Sequence, residues 1–170
     1  LRRNEVLGLR WRNVDLKNKC FSVVEQLPFK VPPGTTTITE MAPTKSQDRV
    51  LPITEITLPF FIKQRQLQQK QKELAELSGQ PYNDNDLVIA KADGSPARAD
   101  RVTNNFAQFL RHQNMPHIRF HDLRHSAATN MHELTGDFYT VGEILGHTLK
   151  GIGLSLGIST NMADVTARYV

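Results

Sequence analysis

A change of pattern near residue 56 constrains the fold of this chain more than any other feature of its sequence. Before it, short runs of β-branched and aromatic residues are separated by proline and glycine, which predicts a short helix at residues 4–10 and strands at residues 20–26, 35–41 and 49–53. After it, apolar residues recur at helical spacing. We therefore predict an α+β fold, mostly helical, in which a small three-stranded antiparallel sheet packs on a helical bundle.

The helical part of the sequence begins with a strongly polar segment. Between Gln64 and Lys72 it holds five glutamines and three basic residues, so we expect a helix with a thin apolar stripe and a solvated outer face, with a coiled coil as the alternative. Residues 87–89 form a short apolar run that we expect to be buried. The helices are predicted at residues 56–77, 99–112, 121–134, 140–145 and 161–169.

The bulk composition limits the classes of protein without choosing one. The 170 residues suit one domain with its own core, and a formal net charge of +4 favours polyanions such as DNA only weakly. The single cysteine, Cys20, can form neither an intramolecular disulfide nor a cysteine zinc site, and it is compatible with a reducing cytoplasm. The sequence carries no signal-peptide pattern and no apolar run of membrane-spanning length.

Groups that could bind a phosphate or carry a proton occur at separate places along the chain. The most informative place is a predicted helix start, where His121 and Arg124 are three residues apart and so share a helix face. A helix N-terminus attracts anions, an arginine binds phosphate through two parallel hydrogen bonds, and an imidazole exchanges protons near neutral pH. The alternative is a capped surface helix with scattered charge. The other candidates, each more readily structural when taken alone, are Arg2, Arg3, Lys45, His125, His147 and Tyr169.

Two segments carry the most specific pattern. His-Asp-Leu-Arg-His occupies residues 121–125, and the chain opens with Leu-Arg-Arg-Asn-Glu-Val-Leu-Gly-Leu-Arg-Trp, in which Arg2 precedes Glu5 by three. The first is similar, nearly letter for letter, to the second box of the tyrosine recombinases of the phage-integrase kind. The opening segment resembles the first arginine box of the same family.

Three further segments resemble the same family, and all five occur in the family's order. Thr-Lys-Ser at residues 44–46, followed by Leu-Pro-Ile at residues 51–53, resembles the hairpin that carries the catalytic lysine. Leu-Gly-His ends at His147, and Ala-Arg-Tyr-Val, around Tyr169, resembles the nucleophile segment. The stretch between His147 and Tyr169 is longer than is usual in the family.

The resemblance implies a function and a set of catalytic residues. It identifies residues 1–170 as a single catalytic domain of the DNA breaking-rejoining type, a fragment without the N-terminal DNA-clamping domain and the C-terminal tail of such proteins. The implied reaction is site-specific DNA recombination or integration through a 3′-phosphotyrosyl intermediate, for a phage or other mobile element, with no metal, cofactor or ATP. The implied catalytic residues are Arg2, Lys45, His121, Arg124, His147 and, as nucleophile, Tyr169.

The resemblance also implies partners and leaves alternatives. The implied partner is double-stranded DNA, bound by four protomers on two duplexes in the full-length protein, with room for accessory DNA-bending proteins and no membrane. The implied location is the cytoplasm of a bacterial cell, or its nucleoid. One alternative is a catalytically decayed relative that only binds DNA. Others are the same chemistry used by a resolvase of replicon dimers or by a transposon recombinase, and an unrelated basic regulator of the helix-turn-helix type.

Overall fold

The computed structural model describes residues 1–44 and 48–146, and the fold is α+β and mostly helical, as predicted. A 3-10 turn at Trp11–Asn13 follows the first helix. The helices are α1 (Arg3–Gly8), α2 (Leu58–Leu77), α3 (Ala99–His112), α4 (Asp122–Thr135) and α5 (Phe138–Leu145). The strands are β1 (Val14–Asp15), β2 (Cys20–Val23), β3 (Glu25–Gln26), β4 (Ala42–Pro43) and β5 (Arg49–Pro52).

The three-stranded antiparallel sheet is present, but one of its members differs from the prediction. Its order is β1-β2-β5, with Phe21 of β2 opposite Val14 on one side and Leu51 on the other. The strand β1 lies in a segment for which no strand was predicted, whereas residues 35–41, predicted as a strand, are irregular. A separate pair, β3 and β4, is antiparallel and brings Glu25 opposite Pro43. The β-branched residues of the irregular segment favour a strand only where a partner strand covers them.

The backbone of the irregular segment is bonded to a side chain rather than to a strand. The amide of Asn85 accepts a hydrogen bond from the Ile38 N–H at 2.8 Å and donates one to the Thr36 carbonyl at 2.7 Å. Asn85 itself is buried, with 8% of its surface exposed. This amide therefore does for residues 36–38 what a neighbouring strand does elsewhere, because it satisfies both a backbone donor and a backbone acceptor.

The helix α1 is held against the chain that follows β3. The Leu27 N–H donates to the Asn4 carbonyl at 2.8 Å, and the Asn4 amide donates to the Leu27 carbonyl at 3.1 Å. Gly8 lies so close that a Cβ there would come within 2.4 Å of the Leu27 nitrogen. The helix ends at Gly8, two residues earlier than predicted, because Leu9 accepts a backbone hydrogen bond from Val88 instead.

The long helix α2 is attached through glutamine. Gln68 is buried; it accepts a hydrogen bond from the indole of Trp11 at 2.7 Å and donates one to the Leu87 carbonyl at 2.9 Å. Gln64, one turn earlier, donates to the Val88 carbonyl at 3.0 Å. The fully buried residue of α2 is thus an amide, and the predicted apolar stripe includes the half-buried Phe61, whose ring packs on those of Trp11 and Phe21. In the described part of the chain, none of the helices combines the length and apolar character needed to cross a membrane.

The helices α4 and α5 pack on each other through apolar side chains. Their contact is a small apolar cluster of Ala128, Met131, Val141 and Leu145. The Asp137 carboxylate accepts hydrogen bonds from two backbone N–H groups of the first turn of α5, which explains why this helix begins two residues earlier than predicted. The predicted final helix, at residues 161–169, lies outside the described residues.

Candidate functional site

The first turn of α1 joins Arg2 to Glu5. The Arg2 backbone N–H donates to Glu5 Oε2 at 2.7 Å, and its Nη1 donates to Oε1 at 2.9 Å. This is the geometry expected of a glutamate at the third helical position, which reaches back to the residue that precedes the helix. The spacing of three residues therefore places the two charges side by side. Glu5 is buried, with 1% of its surface exposed.

Glu5 also binds two residues from the hairpin. Thr44 donates its hydroxyl to Glu5 Oε1 at 3.0 Å, and Arg49 donates Nη2 to Oε2 at 2.8 Å. Burial alone would raise the pKa of Glu5, but the Arg2 backbone N–H and the guanidinium groups of Arg49 and Arg2 outweigh it and lower the pKa to about 2. Glu5 is therefore an anion at neutral pH that joins α1 to Thr44 and Arg49, the described residues before and after positions 45–47.

Arg124 reaches the same region from α4. Its residue is buried, with 5% exposed, and its Nη2 donates to the carbonyl of Leu145 at the end of α5. Ala128, one turn later on the same face, packs against α5 and keeps Arg124 directed at that helix end. Burial and then the neighbouring charge of Arg2 lower the pKa of Arg124 to about 10, so the guanidinium remains cationic at neutral pH.

Three successive carbonyls at the end of α5 each accept a hydrogen bond from a different arginine. Arg49 Nε donates to the Ile144 carbonyl at 3.0 Å. The Leu145 carbonyl accepts from Arg124, and the Gly146 carbonyl accepts from Arg2 Nη2 at 3.2 Å. The last carbonyls of a helix lack partners within the helix and lie at the negative end of its dipole, which favours cations there. We refer to Arg2, Arg49 and Arg124 as the arginine cluster.

The arginine cluster carries more positive charge than the acid bound to it. Of the described residues, Glu5 is the carboxylate that pairs with the cluster, through Arg2 and Arg49. Within the described part of the chain, three guanidinium groups against one carboxylate give an excess of positive charge at a partly buried place. Such a place attracts an anion, and guanidinium groups match the oxygens of a phosphate in geometry and charge.

His121 lies at the start of α4, one turn before Arg124. Its residue is exposed, and its ring packs edge-to-face on that of His125, with centroids 5.1 Å apart. Partial burial and then the neighbouring charges of His125 and Arg124 lower the pKa of His121 below its ordinary 6.5. The imidazole is therefore mostly neutral at pH 7 and able to accept a proton. His125, another of the sequence candidates, contributes to the site through this ring contact with His121.

The first turn of α4 already contains an anion of its own. Asp122 accepts a hydrogen bond from the Arg119 backbone at 2.8 Å and pairs with the Arg119 guanidinium at 2.8 Å. Arg119 is therefore bonded to this carboxylate. Because Asp122 already supplies negative charge at this helix start, the arginine cluster suits an external anion better.

The structure brings together some of the residues predicted for the site. Arg2 and Arg124, which are far apart in the sequence, donate to adjacent carbonyls. His121 lies on the same helix as Arg124 but is more exposed. The predicted site residues outside the described part of the chain are Lys45, His147 and Tyr169.

Two residues bonded within the arginine cluster are not among the residues predicted for the site. Glu5 pairs with Arg2, and its spacing from Arg2 was the available signal. Arg49 has a side chain that is 9% exposed and bonded to Glu5 and Ile144. No local pattern in the sequence marks Arg49.

A comparison with protein-family models and curated proteins gives concordant matches. The model described as the phage integrase family matches residues 1–152. A XerC-like tyrosine recombinase from Caldanaerobacter subterraneus subsp. tengcongensis is 29% identical over 171 aligned residues. That alignment covers 95% of this chain and 42% of the relative, so the chain spans less than half of that relative's length.

Solved structures share the fold at low sequence identity. The Tn1549 transposon integrase in complex with transposon right end DNA superposes with a TM-score of 0.70 at 17% identity, covering 99% of this chain and 54% of that one. The XerA recombinase gives a TM-score of 0.65 at 18% identity, covering 99% and 52%. With a family model matched over most of its length and a fold shared with these recombinases, the chain belongs to the phage integrase family.

Proposed function

We propose that the protein containing this chain is a site-specific recombinase that cuts and rejoins double-stranded DNA for a phage or another mobile element. The observation that carries the proposal is the arginine cluster, in which Arg2 and Arg124 donate to adjacent carbonyls and Arg2 pairs with the buried Glu5. The likeness to a transposon integrase solved with transposon DNA supports the mobile-element assignment. The family match supports the reaction class.

The scissile phosphodiester would bind at the arginine cluster. Arg2 and Arg124 would donate to its two non-bridging oxygens, and in the pentacoordinate state they would stabilise the added negative charge. His147 would donate a further hydrogen bond to the phosphate. The residue before His147, Gly146, accepts a hydrogen bond from Arg2, which supports this assignment.

Strand cleavage would be a transfer of the phosphate to tyrosine. The Tyr169 oxygen attacks phosphorus and forms a 3′-phosphotyrosyl bond, while the bond from phosphorus to the 5′-oxygen breaks. His121 accepts the phenolic proton, and Lys45 protonates the departing 5′-oxygen. Attack by a 5′-hydroxyl reverses these steps, so rejoining needs no ATP.

Two observations support these proton-transfer roles. His121 has a lowered pKa and is mostly neutral at pH 7, as a proton acceptor requires. Thr44, which precedes Lys45 in the sequence, donates to Glu5. The residue before Lys45 is thus bonded to α1, the helix that Arg2 precedes. The cations take the place that a metal ion has in other phosphoryl-transfer enzymes, and the proposal includes no metal or cofactor.

The recombination would take place in an assembly of several chains. We propose four protomers on two DNA duplexes in the full-length protein, with accessory DNA-bending proteins where the site requires them. The location that follows from the substrate is the cytoplasm or nucleoid of a bacterial cell. Residues 1–170 would form the catalytic domain of that protein.

A second candidate is a decayed relative that binds DNA without cutting it. The observation that favours it is the extent of the family match, which ends at residue 152, before Tyr169. The two candidates share the arginine cluster and differ in the nucleophile. A test of the covalent step therefore separates them.

The test traps the covalent intermediate. The full-length protein is mixed with DNA from the flanks of its own gene, nicked so that the short cleaved end diffuses away, and is then separated on a denaturing gel. We expect a slow, protease-sensitive band from the wild type and none from Tyr169→Phe. Tyr139→Phe is the matched control, because it removes the same hydroxyl from α5 and should retain the band.

The remaining outcomes are distinct. DNA binding without a covalent band, over several flanking segments, would support the decayed relative. A band that persists in Tyr169→Phe would place the nucleophile elsewhere and remove Tyr169 from the proposal.

A further inference from the structure

Arg49 binds two parts of the site at once. Its Nη2 donates to Glu5 Oε2 at 2.8 Å and its Nε donates to the Ile144 carbonyl at 3.0 Å. Only 9% of its side-chain surface is exposed. One guanidinium group therefore joins the first turn of α1 to the last turn of α5, and it does so from the first residue of β5.

These contacts close a ring of hydrogen bonds. Glu5 binds both Arg49 and Arg2, and those two arginines in turn bind the carbonyls of Ile144 and Gly146. Because each member is held by two others, the position of one guanidinium depends on the rest. Bonds between charged groups are short and strong, and the fixed fork of arginine also sets their direction.

We propose that Arg49 is a positioning residue for DNA cleavage. It holds the Glu5 carboxylate against Arg2 and fixes the end of α5, after which His147 follows in the sequence. The inference rests on the proposed function, in which Arg2 binds the scissile phosphate. Arg49 acts through Glu5 and the Ile144 carbonyl, and its contribution is to the geometry of the reacting groups.

The rival role for Arg49 is direct binding of a phosphate. A phosphate ligand contributes to DNA affinity and to its dependence on salt, because each contact releases counterions from the DNA. A positioning residue contributes to the rate of the chemical step, because a displacement of about 1 Å costs about 10²-fold in rate. Affinity and rate measured side by side therefore distinguish the two roles.

The variants are chosen to separate charge from geometry. Arg49→Met removes both hydrogen bonds at similar length, whereas Arg49→Lys keeps a cation that can pair with Glu5 but lacks the second arm of the fork. Arg12→Met is the matched control, since Arg12 also pairs with a glutamate, Glu25, at 3.1 Å, but is 57% exposed and lies outside the arginine cluster.

The experiment uses the full-length protein and the nicked DNA substrate. It measures the dissociation constant for DNA, the single-turnover rate of covalent adduct formation at saturating protein, and the thermal midpoint. We expect Arg49→Met to lower the rate about 10²-fold, Arg49→Lys to give an intermediate rate, and Arg12→Met to match the wild type. DNA affinity should change by less than about threefold in all three, because no phosphate contact is removed.

The pH dependence of the rate gives an independent readout. Arg49 is one of the groups that hold the pKa of Glu5 low, together with the backbone and side chain of Arg2, and Thr44 donates to the same carboxylate. Loss of Arg49 should raise that pKa, so cleavage by Arg49→Met should decline at a higher pH than cleavage by the wild type. Arg49→Lys should restore most of this shift, which a role in folding alone does not predict.

Several results would overturn the inference. A wild-type cleavage rate in Arg49→Met, or a loss of affinity as large as the loss of rate, would exclude positioning. If Arg49→Met does not fold, Arg49→Lys decides: a stable variant that cleaves at the wild-type rate excludes the role. If the wild type forms no adduct, the proposed function fails and the inference falls with it, whereas an adduct of equal rate in wild type and variants removes the inference alone.

Discussion

The arginine cluster and the attachment of α2 can be compared, because both hold distant segments together through hydrogen bonds of different chemistry. Each joins segments that are far apart in the sequence through a buried polar side chain. At α2 the joint is the neutral amide of Gln68, which accepts from Trp11 and donates to the Leu87 carbonyl. At the cluster the joint is a carboxylate surrounded by guanidinium groups.

The two joints differ in their net charge. The amide matches its donors and acceptors to those of its neighbours, so it adds no net charge to the interior. The cluster has an excess of positive charge, and burying charge is unfavourable unless partners compensate for it. Among the described residues this excess of charge suits the binding of an anion, as proposed above, whereas the neutral amide joint has no such excess.

Removal of the carboxylate should have the largest effect. In Glu5→Gln the three guanidinium groups lose their counter-charge, so we expect the free energy of unfolding to fall by about 3–5 kcal/mol. Denaturant titration measures this fall. Added sulfate should recover part of it, because an anion that binds only the folded cluster stabilises the folded state. A loss below about 1 kcal/mol would show that the cluster does not depend on Glu5.

Acid should weaken the cluster in a defined range of pH. The pKa of Glu5 is about 2 in the folded protein and 4.5 without the fold, so its contribution is fully present above pH 4.5 and is lost as the pH falls towards 2. The difference in unfolding free energy between wild type and Glu5→Gln should shrink over this range, by on the order of 3 kcal/mol. A difference that stays constant down to pH 2 contradicts the assignment.

Removal of the amide should have a moderate effect that leaves the chemistry intact. Gln68→Leu leaves the indole of Trp11 and the Leu87 carbonyl without this partner, which should lower the free energy of unfolding by about 1–3 kcal/mol. Adduct formation by the folded variant should be unchanged. A slowed covalent step, measured below the unfolding temperature, would mean that α2 also supports the site.

An exposed ion pair should have the smallest effect. Lys19 and Glu55 lie 2.7 Å apart, with side chains 47% and 78% exposed. Glu55→Gln should change the free energy of unfolding by less than about 1 kcal/mol, because water and salt screen the pair. This variant is the control for Glu5→Gln, since it makes the same chemical change outside the cluster.

Local pattern predicted the described helices, and it placed His121 and Arg124 one turn apart at the start of one of them. Residues 99–112 form a helix with the predicted bounds, because periodic apolar residues and turn residues lie close together in the sequence. His121 and Arg124 were found because their spacing is a helical one. The predicted strand at residues 35–41 was wrong because β-branched residues indicate a strand only where a partner covers them, and the partner here is Asn85.

The low exposure of Arg49 and Gln68 could not be predicted from the sequence. Each lies in a segment whose local pattern indicates an exposed side chain, and each is covered by groups that approach from elsewhere in the chain, so that Gln68 is buried and the Arg49 side chain is 9% exposed. Glu5 and Ile144 hold Arg49, and Trp11 and Leu87 hold Gln68. Such partners follow from the three-dimensional arrangement and leave no periodic signal in the sequence.

The amide of Asn85 divides the long loop between β3 and β4 into two parts with different freedom to vary. Residues 36–38 are held by hydrogen bonds to Asn85. Residues 29–34 come before these bonds in the loop and include Phe29, which is 81% exposed. An insertion in the outer part would be absorbed before it displaced Thr44, since lengthening an open loop costs little free energy. The outer loop is thus the natural place for such proteins to gain or lose sequence, and a suitable one for a label or tag.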